Sequence, residues 1–150
     1  MTLFEQVSED IKTAMKARDK VALETRRNIK KVFLEAKTAP GANDTLTDDA
    51  ALKLIQKLVK QGKDAAAIYQ QQGRADLAEE ELAQVKVMEA YLPKQMSDAE
   101  LTAALQAIIA QVGATSPKEM GKVMGVATKQ LAGKAEGRAI SAKVKELLAQ

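Results

Sequence analysis

Histidine, cysteine and tryptophan are all missing from the 150 residues. Without histidine a Ser-His-Asp triad is impossible, and without cysteine so is a Cys-His pair. The same two absences exclude zinc held by histidine or cysteine. No disulfide can form, which suits a reducing compartment. Proton transfer is left to carboxylates, lysines, hydroxyls and two tyrosines. Aromatic residues make up 3% of the chain, too few for the stacking platforms that hold single-stranded bases. Any nucleic acid bound here is therefore expected to be read by backbone and shape. Neither a zinc finger nor a helix-turn-helix stands out. Long apolar runs are missing too, so no membrane span is expected. The first ten residues, Met1 to Asp10, have neither a basic stretch nor a long apolar one. No signal peptide is expected, and the cytoplasm is the expected location.

Strand patterns are nearly absent as well. Alanine, lysine, glutamate, glutamine and leucine dominate, and the apolar spacing is helical almost throughout. Apolar residues at 46% and charged residues at 29% fit a folded chain rather than a disordered one. Leu3, Val7, Ile11, Ala14 and Met15 predict a first helix, about 2 to 17. Asp19 is placed to cap a second helix, about 20 to 37. A polar loop with Pro40, Gly41, Asn43 and Asp44 follows. Thr47 caps a third helix, whose face includes Ile55, Val59, Ala66 and Ile68. Gly62 interrupts that helix as a weak or bent point, and Gly73 ends it. Asp76 and Glu79 have capping-box spacing at the start of a fourth helix with Leu77, Leu82, Val85, Met88 and Leu92 inward. Pro93 stops it. Ser97 to Glu100 and Ser116 to Glu119 are two further capping boxes, the second with proline at the favoured first position. They open a fifth and a sixth helix, and a seventh runs from about 137 to 149. The expected fold is all-α. A bundle of about four helices (1–93) precedes a small three-helix module (94–150).

Charge divides unevenly over that frame. The formal net charge is +3. The middle third of the chain is acidic and both ends are basic, so an anionic partner would be drawn to the ends. From Gly113 to Lys145 the basic residues are Lys118, Lys122, Lys129, Lys134, Arg138, Lys143 and Lys145, against Glu119 and Glu136. The other basic stretch, Arg18 to Lys31, puts Arg27 and Lys31 on one helical face. A solvated face and a phosphate-binding face both fit such runs.

The sequence carries no catalytic constellation. Glu79, Glu80 and Glu81 are adjacent, so on a helix they point in different directions. No serine sits in Gly-x-Ser-x-Gly. Tyr69 and Tyr91, each near a helix end, read as packing at the core's edge. Gly121-Lys122-Val123-Met124-Gly125 lacks the P-loop pattern. Two glycines inside a helix cost about 1 kcal/mol each against alanine. They therefore suggest close approach of another backbone, from tight packing in the module or from a partner. Gly133 and Gly137 flank a turn, with backbone N–H groups at the following helix start that favour anions. No cofactor, metal or catalytic residue is expected.

The order and spacing of several motifs resemble YqeY-type proteins over the full length. They are Leu3-Phe4-Glu5-Gln6-Val7 with Asp10, Met15, Lys16, Asp19, Lys20 and Arg26, then Gly73-Arg74-Ala75-Asp76-Leu77, then Tyr91-Leu92-Pro93-Lys94-Gln95. Met120 to Gly125 and Gly133 to Gly137 complete the set. The resemblance implies a C-terminal module shared with the tail of the GatB subunit of tRNA-dependent amidotransferases, where the tail helps hold tRNA. It further implies a noncatalytic accessory role, with tRNA or a protein of the translation or tRNA-aminoacylation machinery as partner. RNA contacts are expected at Lys118, Lys122, Lys129, Lys134, Arg138 and Lys143. A protein-interaction adaptor using Gly121, Gly125, Gly133 and Gly137 as its face is the alternative. Carbon–nitrogen ligase activity with glutamine as amido donor follows only by family association. The loop at Thr38 to Asn43 departs from common family versions.

Overall fold

The computed structural model describes residues 1–149. It holds seven α-helices: α1 (Leu3–Ala17), α2 (Lys20–Lys37), α3 (Asp48–Gln71), α4 (Ala75–Glu89), α5 (Asp98–Val112), α6 (Met120–Gln130) and α7 (Gly137–Leu148). A short 3₁₀ turn, Pro117–Glu119, leads into α6. No strand occurs among the described residues. Two compact units divide the chain, Met1–Leu92 and Pro93–Gln150.

Helix starts follow local chemistry. Asp19 Oδ1 accepts the Ala22 N–H at 3.1 Å, and Thr47 Oγ1 accepts that of Ala50 at 3.2 Å. Ser97 and Glu100 exchange both bonds of a capping box. Three starts or stops differ from expectation. Asp76 is not the N-cap: it lies inside the first turn of α4, where the Arg74 guanidinium donates two bonds of 3.2 Å to its carboxylate. Arg74 itself is the N-cap residue of α4. That helix ends at Glu89, leaving Tyr91 and Leu92 in the turn before Pro93, where proline disfavours helical geometry in the residue preceding it. The Ser116 motif opens the 3₁₀ turn, and α6 proper begins three residues later.

In the first unit α1 packs against α2, and α3 against α4. Their core is Val7, Ile29, Phe33, Ala51, Ile55, Val59, Val85 and Met88. Three expected core residues, Met15, Ile68 and Leu82, are instead exposed. Met15 is one residue, and Ile68 two, past the buried Ala14 and Ala66, which turns each away from its helix's inner face. Leu82 lies at the edge of the α4 stripe. Gly62 does not interrupt α3, which runs unbroken through it from Asp48 to Gln71. It is buried, and a Cβ there would meet Val85 Cγ2 at 2.6 Å. The missing side chain is what lets α3 and α4 approach.

The second unit packs α5, α6 and α7 around Leu101, Leu105, Ile108, Val123, Ala127, Leu131, Ile140, Val144 and Leu148. Each large aliphatic buried in such a core stabilises by about 1.5–3 kcal/mol. Exposed ion pairs such as Lys12–Glu9 and Lys60–Asp64 contribute about 0–1 kcal/mol each. Packing therefore dominates both units.

Candidate nucleic-acid interface

The sixth helix has two distinct faces. Val123 and Ala127 are fully buried, and Met120 and Met124 are half-buried beside them. On the other side Gly121, Lys122, Gly125 and Lys129 are all exposed. Lys122 and Lys129 are seven residues apart, about 20° around the helix from each other. Lys118 is exposed in the 3₁₀ turn that precedes α6, four residues before Lys122. No carboxylate interrupts α6. The nearest acid in sequence, Glu119, is committed to the turn. Its carboxylate accepts the N–H groups of Thr115 and Ser116, which hold it below the usual carboxylate range. Among the described residues Lys118, Lys122 and Lys129 form no ion pair within 4 Å, although the charge of Lys122 adds to the lowering of Glu119.

Tight packing within the module does not account for these glycines. A Cβ on Gly121 or Gly125 would meet nothing within 4 Å, and the same holds for Gly137 at the start of α7. The reason is orientation: the core of the unit lies against Val123 and Ala127, on the far side of α6. Gly133 is different. It is buried, with φ at 76°, in the turn that joins α6 to α7. The Gln95 amide donates to its carbonyl at 2.6 Å, and the Met96 N–H donates to the Lys134 carbonyl at 3.0 Å. Two of the motifs read in the sequence, one ending at Gln95 and one starting at Gly133, are thus tied together.

The remaining basic residues separate into kinds. Lys134 is exposed in the turn. Arg138 and Lys145, seven apart, share one exposed side of α7. Lys143 lies on a different side. Its side chain is only 14% exposed and reaches Asp98 at 2.9 Å and Glu146 at 3.7 Å. Asp98 holds the ammonium above the usual lysine range. Lys143 therefore ties α7 to the first turn of α5 and is less available to a ligand than its neighbours.

One polar cluster was not foreseen, and it sits in the first unit. The Tyr91 hydroxyl donates to Asp10 Oδ2 at 2.6 Å, and Arg26 Nη1 donates to the Asp10 carbonyl at 2.9 Å. Burial, then the bond to Asp10, pushes the phenol well above its ordinary value. Thr25 Oγ1, Ser8 Oγ and Arg26 Nε are buried without hydrogen-bond partners among the described residues. Tyr91 is half-buried, as core-edge packing requires, but its hydroxyl joins the loop after α4 to α1. Asp10 and Tyr91 are 81 positions apart, beyond the reach of any local pattern. Both belong to the motifs that carried the family resemblance.

Among the described residues no acidic cluster could hold a metal ion. No described helix is long and apolar enough to cross a membrane. Comparison with known proteins identifies the family. The model of the family described as Yqey-like protein matches residues 4–148. A curated relative, altered inheritance of mitochondria protein 41, mitochondrial, from Pyrenophora tritici-repentis (strain Pt-1C-BFP), is 27% identical over 146 residues. That alignment covers 95% of this chain and 79% of the relative. With its all-helical fold and its motifs in order, the chain belongs to the Yqey-like family.

Proposed function

We propose that the second unit binds folded RNA, with tRNA as the ligand, through the phosphate backbone, and that the protein is a noncatalytic accessory of tRNA-linked chemistry. The observation that carries this reading is the outward face of α6. Lys122 and Lys129 stand there around two glycines that nothing among the described residues covers, with Lys118 exposed in the 3₁₀ turn before them. Lysines supply the charge a phosphate backbone needs, and the bare glycine backbone admits a close approach. Lys134, Arg138 and Lys145 add exposed charge from the turn and α7. Such a surface reads shape and charge rather than sequence. The reading holds in any aqueous compartment that contains tRNA, and the relative's name places that protein in the mitochondrion.

Fluorescence anisotropy with bulk tRNA across a salt series tests it. Binding should be present at low salt and weaken steadily as salt rises. No binding at low salt, or binding indifferent to salt, overturns the reading. Glutamine-dependent ammonia transfer by the chain alone would overturn its noncatalytic part.

The uncovered glycines also favour a second reading, a protein adaptor that docks a partner helix against Gly121 and Gly125. Under it, Gly125→Leu abolishes nuclease-resistant capture of a specific protein while leaving the fold intact. Under the RNA reading the capture disappears on nuclease treatment.

A further inference from the structure

The basic stretch of α2 is not absorbed by the proposed function. Its buried residues, Ala22, Thr25, Ile29 and Phe33, face the bundle core. Arg27, Lys31, Leu34 and Thr38 follow one another at steps of four, three and four, which places them in one stripe on the opposite face. The stripe spans about 16 Å, or three turns of helix. A shallow trough of about 520 Å³ runs along it, lined by Arg27, Lys30, Lys31, Leu34, Glu35 and Thr38. Leu34 is 43% exposed in the middle of the stripe. Among the described residues Arg27 and Lys31 form no ion pair. Lys30 is partly engaged, its ammonium 5.9 Å from the centre of the Phe4 ring. The lining thus combines Leu34 and the methylene stems of the basic side chains with three cations against the single carboxylate of Glu35.

We propose that this outer face of α2 docks an acidic amphipathic helix of a protein partner. The charge of the lining calls for carboxylates, and the exposed leucine calls for an apolar anchor between them. A helix with apolar residues at three- and four-residue steps, flanked by glutamates, offers both over the same three turns. A phosphate backbone satisfies the cations but leaves Leu34 in water. The outward face of α6, with lysines and glycines and no exposed leucine, is the contrasting case.

The test uses the full chain and a fluorescein-labelled 18-residue peptide carrying leucines at helical spacing and glutamates around them. The controls are a scrambled peptide of equal composition, polyglutamate of equal length and a duplex RNA. The amphipathic peptide should bind at least tenfold more tightly than the scramble or polyglutamate. Leu34→Glu and Arg27→Gln/Lys31→Gln should each weaken it at least tenfold, and Lys122→Glu/Lys129→Glu should leave it unchanged. All substituted positions are exposed, and circular dichroism confirms that each variant is folded. Equal binding of the scramble, or indifference to Leu34→Glu, overturns the proposal. So does competition by duplex RNA that depends on Arg27 and Lys31, which would assign the face to nucleic acid. A salt-sensitive dimer of the chain that Leu34→Glu dissociates would assign it to a second copy and overturn the proposal equally.

Discussion

Gly62 in the first unit and the Gly121/Gly125 pair in the second occupy equivalent settings in sequence, the interior of an amphipathic helix, yet they do opposite things. At Gly62 the place of the absent side chain is taken by Val85 of the neighbouring helix. At Gly121 and Gly125 it is taken by nothing among the described residues. The same loss of helix propensity is offset inside the molecule in the first case and is left without offset in the second. A glycine whose weakness is not compensated by packing points outward, to whatever approaches the surface. That difference is why a binding face is assigned to α6 and a structural role to the middle of α3.

Substitution should separate the two cases by sign. Gly62→Leu forces a branched side chain into space held by Val85, and overpacking of this kind should destabilise by about 3 kcal/mol. Gly62→Ala should destabilise less, because about 1 kcal/mol of helix propensity opposes the clash. Gly121→Ala and Gly125→Ala should instead stabilise, each by up to about 1 kcal/mol. Urea unfolding followed by circular dichroism reads all four. If Gly62→Ala proves stabilising, or the α6 alanines destabilising, the contrast drawn from the geometry collapses.

Tyr91→Phe breaks a different feature of the first unit. Removing a hydrogen bond to a carboxylate should cost about 1.5–3 kcal/mol near neutral pH. The pH dependence follows from the raised phenol. A group whose folded pKa lies above its unfolded value of about 10 contributes fully below that pH and loses its contribution as pH rises beyond it. The gap in stability between wild type and Tyr91→Phe should therefore be constant through neutrality and shrink above about pH 10. A gap that widens there would contradict the assignment of the proton.

The smallest effects sharpen the division among the basic residues. Lys143→Ala should lower the melting temperature of the second unit, since it removes the tie from α7 to Asp98. Lys122→Ala should leave that temperature unchanged, because the side chain is exposed and forms no ion pair. Equal melting temperatures for the two variants would remove the distinction.

Much of the fold was readable because helix ends are local. Asp19, Thr47 and Ser97 cap within three residues of themselves, so their neighbours in sequence suffice. Asp76 was misjudged for an equally local reason: α4 begins one residue before it, with Arg74 at the cap position. The glycines were only half legible. Helix propensity says that a glycine in a helix is costly, but not which body fills the space. That depends on where another helix passes, and it placed the close approach at Gly62 rather than in α6. Of the candidate surface, the spacing of Lys122 and Lys129 could be read directly. Diversion of Lys143 to Asp98, 45 positions away, could not. Nor could the meeting of Asp10, Arg26 and Tyr91.

The assignment of α6 as a phosphate-binding face is tested most directly by the salt dependence of tRNA affinity, compared between wild type and Lys122→Glu/Lys129→Glu. Each phosphate that a removed lysine no longer neutralises should reduce the slope of log affinity against log salt by about 1. The double variant should therefore bind at least tenfold more weakly at low salt, with a slope shallower by about 2 and an unchanged melting temperature. Wild-type binding with a slope the double variant leaves intact would contradict the account.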